Sequence, residues 1–134
     1  MKVFAVLDTN VLVSALYTSN EQAATARLIR ALVDGGFCTL YNDEIIKEYR
    51  EVLHRDKFDF DNVLVDMLID TVISNGVRAD RVVSGEDFPD PDDAVFYEVA
   101  LSKEGTYVVT GNLKHFPCKP IVVTPAEMVE ILGI

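Results

Sequence analysis

Basic residues are scarce in this sequence: 12 Lys and Arg stand against 22 Asp and Glu in 134 residues, a formal net charge of −10. That balance repels nucleic acid at long range and argues against a protein that coats DNA nonspecifically. It leaves room for a nuclease whose local charge is partly cancelled by bound divalent ions, and for a basic protein partner. Cysteine is scarcer still. Cys38 and Cys118 lie far apart, with no Cys-x-x-Cys or Cys/His ligand spacing. Neither a metal site of that kind nor a structural disulfide is expected, and the two read as buried free thiols. No apolar run approaches the ~20 residues of a membrane helix. The stretch Met1-Lys2-Val3-Phe4-Ala5-Val6-Leu7-Asp8 holds one basic residue and too short an apolar run for a signal peptide. Low-complexity tracts and internal repeats are also missing. The expectation is a cytoplasmic protein of one domain over residues 1–134. Its 49% hydrophobic content is ample for a core, which at this size buries roughly two thirds of the unfolded surface.

What is present is an alternation of short apolar runs and helical patterns. Residues 3–7 read as a buried strand, and Val11, Leu12, Ala15 and Leu16 give a helix over 9–17. Asn20 is the expected N-cap of a helix over about 21–34, stopped by Gly35-Gly36. A strand over 37–41 is followed by a helix to about His54, capped by Asn42 or Asp43. Asp59 or Asp61 opens the next helix, which ends near Asn75-Gly76. The pattern continues with a strand over 77–83, a polar loop over 84–93, a helix over about 92–104, and strands at 107–109 and 121–123. Thr124-Pro125 is a cap and first-turn proline for a closing helix. Such alternation predicts an α/β fold with three layers, α/β/α, around a mostly parallel sheet of about five strands. Right-handed crossovers place all strand C-termini on one side.

Those C-termini carry polar groups. Asp8 ends the first strand, Thr110-Gly111-Asn112 ends the strand at 107–109, and Asp90-Pro91-Asp92-Asp93 opens the helix that feeds it. Glu48 lies mid-helix after another strand and is able to face the same crevice. Each has an ordinary structural explanation: Asp8, Asp92 and Asp93 as helix caps or first-turn acids, Glu48 in a solvated acidic face with Glu44 and Glu51, and Asn112 as a turn residue. Their joint placement favours a shared site, because open parallel sheets bring strand ends to one crevice. Three carboxylates ~5 Å apart repel by about 3 kcal/mol per pair at an effective dielectric near 20. The total is comparable to a whole domain's stability, so such a cluster needs a cation or a proton. An oxygen-only ligand set suits Mg²⁺ or Mn²⁺ and not Zn²⁺.

Four segments, in order, resemble the PIN-domain family of metal-dependent ribonucleases. They are Leu7-Asp8-Thr9-Asn10-Val11-Leu12-Val13-Ser14-Ala15, Glu48-Tyr49-Arg50-Glu51-Val52-Leu53, Asp90-Pro91-Asp92-Asp93 with Ala100 downstream, and Val109-Thr110-Gly111-Asn112-Leu113-Lys114-His115-Phe116-Pro117. The resemblance is greatest to the bacterial and archaeal branch that includes toxin components of toxin–antitoxin pairs. It implies a PIN-like fold, with Asp8, Glu48 and Asp93 as catalytic metal ligands and Thr9, Asn10, Asp92 and Thr110 in support. The spacing to Ala100 favours Asp93 over Asp92 as the ligand, and Asp90 reads as a turn former. At the fourth family position, often aspartate, Asn112 offers a carbonyl oxygen without charge.

The implied activity is hydrolysis of RNA phosphodiester bonds with Mg²⁺ or Mn²⁺. A protein antitoxin and a homodimer are the implied partners, with no membrane association. Basic residues for a substrate rim are Arg50, Lys114 and His115, with Lys47, His54, Arg55, Lys57 and Lys119 nearby. The alternative is a catalytically degenerate PIN-like module that binds RNA or a protein partner without cleaving. An aspartate-nucleophile phosphatase would carry a second aspartate two residues after Asp8, where this chain has Asn10. A receiver-like signalling domain would need an acidic pair at the first strand end, and that pair is missing.

Overall fold

Four apolar residues, Phe4–Leu7, form β1, and the chain turns directly into α1 (Thr9–Tyr17). There follow α2 (Ala24–Val33), β2 (Cys38–Tyr41), α3 (Asp43–Leu53), α4 (Asn62–Ser74) and β3 (Gly76–Arg78). The remainder is α5 (Ala94–Ala100), β4 (Tyr107–Val109), β5 (Val122–Val123) and α6 (Pro125–Leu132). This computed structural model describes residues 2–134. The strands form one sheet in the order β3-β2-β1-β4-β5, and every pairing is parallel. The result is the expected three-layer α/β/α architecture, with a sheet that is wholly rather than mostly parallel.

Burial on both faces explains the strand sequences. Ala5, Val6, Leu7, Val108 and Val109 are completely buried, which is why these runs do not alternate with polar residues. Helix α5 packs across β1, β2 and β4, while α2 packs against α1, α4 and α6. Successive strands run outward from β1 in one direction as β2 and β3, and on its other side as β4 and β5. The reversal lies between β1 and β4, so the crevice beyond their C-terminal ends is the natural site of function.

Several boundaries follow the expected caps. The Asn42 side chain accepts from Ile45 N at 2.9 Å, and that of Asp61 accepts from Val63 N at 2.8 Å. Thr124 and Glu127 form a reciprocal capping box at the start of α6. Gly76 begins β3 because no other residue fits: a Cβ there would lie 2.1 Å from Thr39 Oγ1 and 2.5 Å from Val72 O.

Other expectations are corrected. Asn20 does not cap α2. Its side chain closes a local turn by accepting from Gln22 N at 3.0 Å, and the helix begins after Ala23. Asp59 has φ +52° and ends a short 3₁₀ turn instead of opening a helix. β3 stops at Arg78, and the chain to Asp90 has no regular structure. Val83 is 90% exposed there, so the apolar run that suggested a longer strand buries little. α5 is short because Pro91–Asp93 form a separate 3₁₀ turn before it. Both cysteines are free as expected, but Cys38 is only half-buried and Cys118 is exposed.

Candidate active site

Asp8 is at the centre of the strand-end crevice. Its backbone N donates to Val109 O at 2.9 Å, and its Oδ2 accepts from Thr110 Oγ1 at 2.8 Å. It occupies the N-cap position of α1 but makes no side-chain cap bond, so capping does not explain it. Asp8 is 6% exposed and Thr110 fully buried. Burial pushes the Asp8 carboxyl up to about 6, reinforced by repulsion from Asp93 and Glu48 and opposed by the Thr110 hydrogen bond. Tyr49 lies behind it, donating its hydroxyl to Leu7 O. Burial raises the Tyr49 hydroxyl well above its ordinary range, and the charges of Asp8 and Glu48 add to this.

Glu48 reaches the crevice from α3. Thr9, the first residue of α1, donates its hydroxyl to Glu48 Oε2. The Glu48 carboxyl is raised, first by burial and then by Asp93, Asp92 and Asp90, against the lowering effect of Thr9. Asp93 ends the 3₁₀ turn before α5, again without a side-chain cap bond. Its carboxyl is raised by burial and by Asp90, while His115 lowers it. Asp92 is exposed. Asp90 accepts from Asp92 N at 3.0 Å and so forms the turn, as expected.

The supporting residues tie the two strand ends together. Asn10 Oδ1 accepts from Gly111 N at 3.2 Å, and Asn112 N donates to Thr110 Oγ1 at 3.0 Å. Asn112 Nδ2 lies beside the His115 ring, 3.2 Å from Nε2. His115 Nδ1 is 3.2 Å from Asp93 Oδ2. Its sequence context suggested a substrate rim, and the structure places it against a carboxylate instead.

The remaining basic residues divide. Arg50 and Lys114 are exposed. Arg50 is two positions from Glu48, about 200° around α3, so it belongs to a different face. Lys47 instead lines a cleft of about 310 Å³ together with Glu48, Arg81, Asp92 and Glu51. His54 is occupied by Asp66 at 3.1 Å and joins α3 to α4. Sequence reasoning missed Arg81, which donates to Glu98 Oε1 at 2.6 Å and Glu44 Oε2 at 2.7 Å. An isolated arginine in an irregular segment gives no periodic signal that would have revealed this.

The arrangement suits a hard divalent cation. Among the described residues, no Lys or Arg forms an ion pair with Asp8, Glu48 or Asp93. Three acidic groups with raised affinity for protons, one of them deeply buried, share a crevice of oxygen donors. They stand within electrostatic reach rather than at ligating contact, and among the described residues no three His, Cys, Asp or Glu side chains are gathered at ion-holding distance. The donor chemistry fits Mg²⁺- or Mn²⁺-like ions.

A family model described as the PIN domain matches residues 5–114, which spans β1 through the turn after β4 and includes every site residue above except His115. No curated protein and no solved structure matches the chain. PIN domains are in general nucleases that depend on divalent metal ions. By this match, and by a crevice in which the family's ordered acidic motifs converge, the chain belongs to the PIN-domain family.

Proposed function

We propose that the protein is an endoribonuclease using Mg²⁺ or Mn²⁺, with Asp8, Glu48 and Asp93 as ligands and Asn112 as a neutral fourth donor. The observation that carries this reading is Asp8: a nearly inaccessible carboxylate, raised to about 6, with no Lys or Arg partner. A folded protein tolerates such a group where a proton or a cation joins it. When bound, the ion lowers the pKa of a coordinated water and stabilises charge developing on the phosphoryl oxygens.

The chain's own residues do the rest. Thr110 and Thr9 fix one oxygen each of Asp8 and Glu48. Asn10 holds the loop after β4 against α1, and Asp92 adds negative charge at the cleft mouth. Lys47, beside Glu48 in the cleft, and the exposed Lys114 are the cations offered to an RNA backbone, while Arg50 stands on another face of α3. Asp8→Asn should reduce Mn²⁺-dependent cleavage of single-stranded RNA to the level seen with chelator. Unchanged cleavage in that variant overturns the assignment. A protein that binds RNA but cuts none with either metal would fit the degenerate module, for which the uncharged Asn112 speaks.

We further propose a cytoplasmic toxin with an antitoxin partner and a self-associating face. The support is an apolar groove of about 390 Å³ between α1, α2 and α4, where Val33, Leu64 and Met67 are each more than half exposed. Contiguous exposed apolar surface of this kind marks interaction sites. No helix among the described residues is long and apolar enough to cross a membrane. A purified protein that sediments as a monomer at micromolar concentration would remove the homodimer.

A further inference from the structure

Each of the three carboxylates is held in the same way. Asp8 Oδ2 accepts from Thr110 Oγ1, Glu48 Oε2 accepts from Thr9 Oγ1, and Asp93 Oδ2 lies 3.2 Å from His115 Nδ1. In every case one oxygen is engaged by a donor from a neighbouring element, and the engagement leaves the second oxygen available. Ligating carboxylates depend on such outer partners for orientation and affinity. The first two partners are threonine hydroxyls, which bring no charge. The third is the imidazole of His115. Asn112 Nδ2 lies against the ring, 3.3 Å from Nδ1 and 3.2 Å from Nε2.

The ring is held in this position by its own short element. His115 N donates to Asn112 O at 3.1 Å and Phe116 N to Leu113 O at 3.2 Å, closing a single 3₁₀ turn. Phe116 is buried beneath it and meets Phe88 edge-on at 6.0 Å. Phe88 in turn meets Tyr97 of α5 at 5.9 Å. The turn bearing His115 and the helix that follows Asp93 are therefore fixed to the same aromatic cluster.

We propose that His115 is a positioning residue of this site: its imidazole, flanked by Asn112, holds one oxygen of Asp93 and leaves the other for the cation. This rests on the nuclease reading and assigns His115 a role in metal affinity rather than in RNA contact.

The test is a Mn²⁺ titration followed by the paramagnetic resonance of the free ion, on wild type, Asp8→Asn, His115→Ala and His115→Gln, with circular dichroism to check folding. RNA affinity is measured in parallel with chelator present. His115→Ala should weaken Mn²⁺ binding roughly 10- to 100-fold, and His115→Gln, whose amide still donates, should recover part of that loss. RNA affinity in chelator should be the same for all three His115 side chains. Mn²⁺ affinity within twofold of wild type in folded His115→Ala overturns the proposal, as does a loss confined to RNA affinity. If His115→Ala does not fold, a folded His115→Gln that binds RNA normally but Mn²⁺ with a smaller, measurable deficit supports it, and one with no deficit overturns it. Wild type that binds Mn²⁺ while Asp8→Asn does not keeps the nuclease reading separate from the fate of His115. Wild type that binds no Mn²⁺ overturns both.

Discussion

At Asp8 the needs of the fold and of the site are opposed. A carboxylate held at about 6 instead of 3.8 costs about 3 kcal/mol of stability when ionised at neutral pH. The raised value means that the folded protein binds the proton more tightly than the unfolded chain. Asp8 therefore favours folding below its ordinary value near 3.8, and that contribution is lost as pH rises through about 6. Asp8→Asn removes the dependence. In chelator at pH 7, this variant should be more stable than wild type by about 1–3 kcal/mol in urea unfolding. The gap should close as pH falls toward 4, and a variant less stable than wild type at pH 7 would contradict the account. Asp8 was legible in the sequence through its company, since a cap would explain it alone but not together with Glu48, Asp93 and the strand end at Thr110. The contact between His115 and Asp93 was not, since it depends on a 3₁₀ turn whose direction no periodicity reveals.

At the scale of elements, the irregular segment 79–90 is the least obvious part of the molecule and yet it is tied to α5. Glu98, on α5, accepts from Arg81 Nε at 2.6 Å, Ser84 N at 2.9 Å and Ser84 Oγ at 2.8 Å. Its backbone oxygen accepts from Val82 N at 3.1 Å. Burial by itself would raise the Glu98 carboxyl, but the Ser84 and Arg81 hydrogen bonds outweigh this and hold it below the usual range. The segment leads straight into Asp90–Asp93, so its anchoring helps to set where Asp93 stands. Glu98→Ala should cost about 2–3 kcal/mol in urea unfolding and open residues 79–90 to limited proteolysis. Unchanged protease resistance would show that the segment is held by something else. Sequence patterns located α1, α3, α4 and α6 well because apolar spacing and caps agreed there. They overextended β3 and α5, where the apolar run Val82-Val83 and a polar turn deceived them. Asn20 misled in the same way, being a good capping residue used in a turn just ahead of the helix.

For the whole molecule, charge decides how RNA is approached. A chain of net charge −10 has no long-range attraction for a polyanion, so binding must come from local cations and the ion. If Lys47 and Lys114 each neutralise one phosphate, the logarithmic salt slope of RNA affinity should be about −1.4. A slope near zero in filter binding would exclude that rim. The parallel sheet, with its strand ends on one side, was legible from strand–helix alternation and connection handedness. The apolar groove was not legible, since the exposure of Leu64 and Met67 emerges only once α1, α2 and α4 are packed.

The bond between Thr110 and Asp8 joins side chains 102 residues apart, and β1 completes its pairing only when β4 arrives beside it. A polypeptide still being synthesised, with β4 not yet made, therefore has Asp8 but neither its hydroxyl donor nor the turn that carries His115. The centre therefore takes shape only once β4 and the turn after it have been made, however early β1 and α1 emerge.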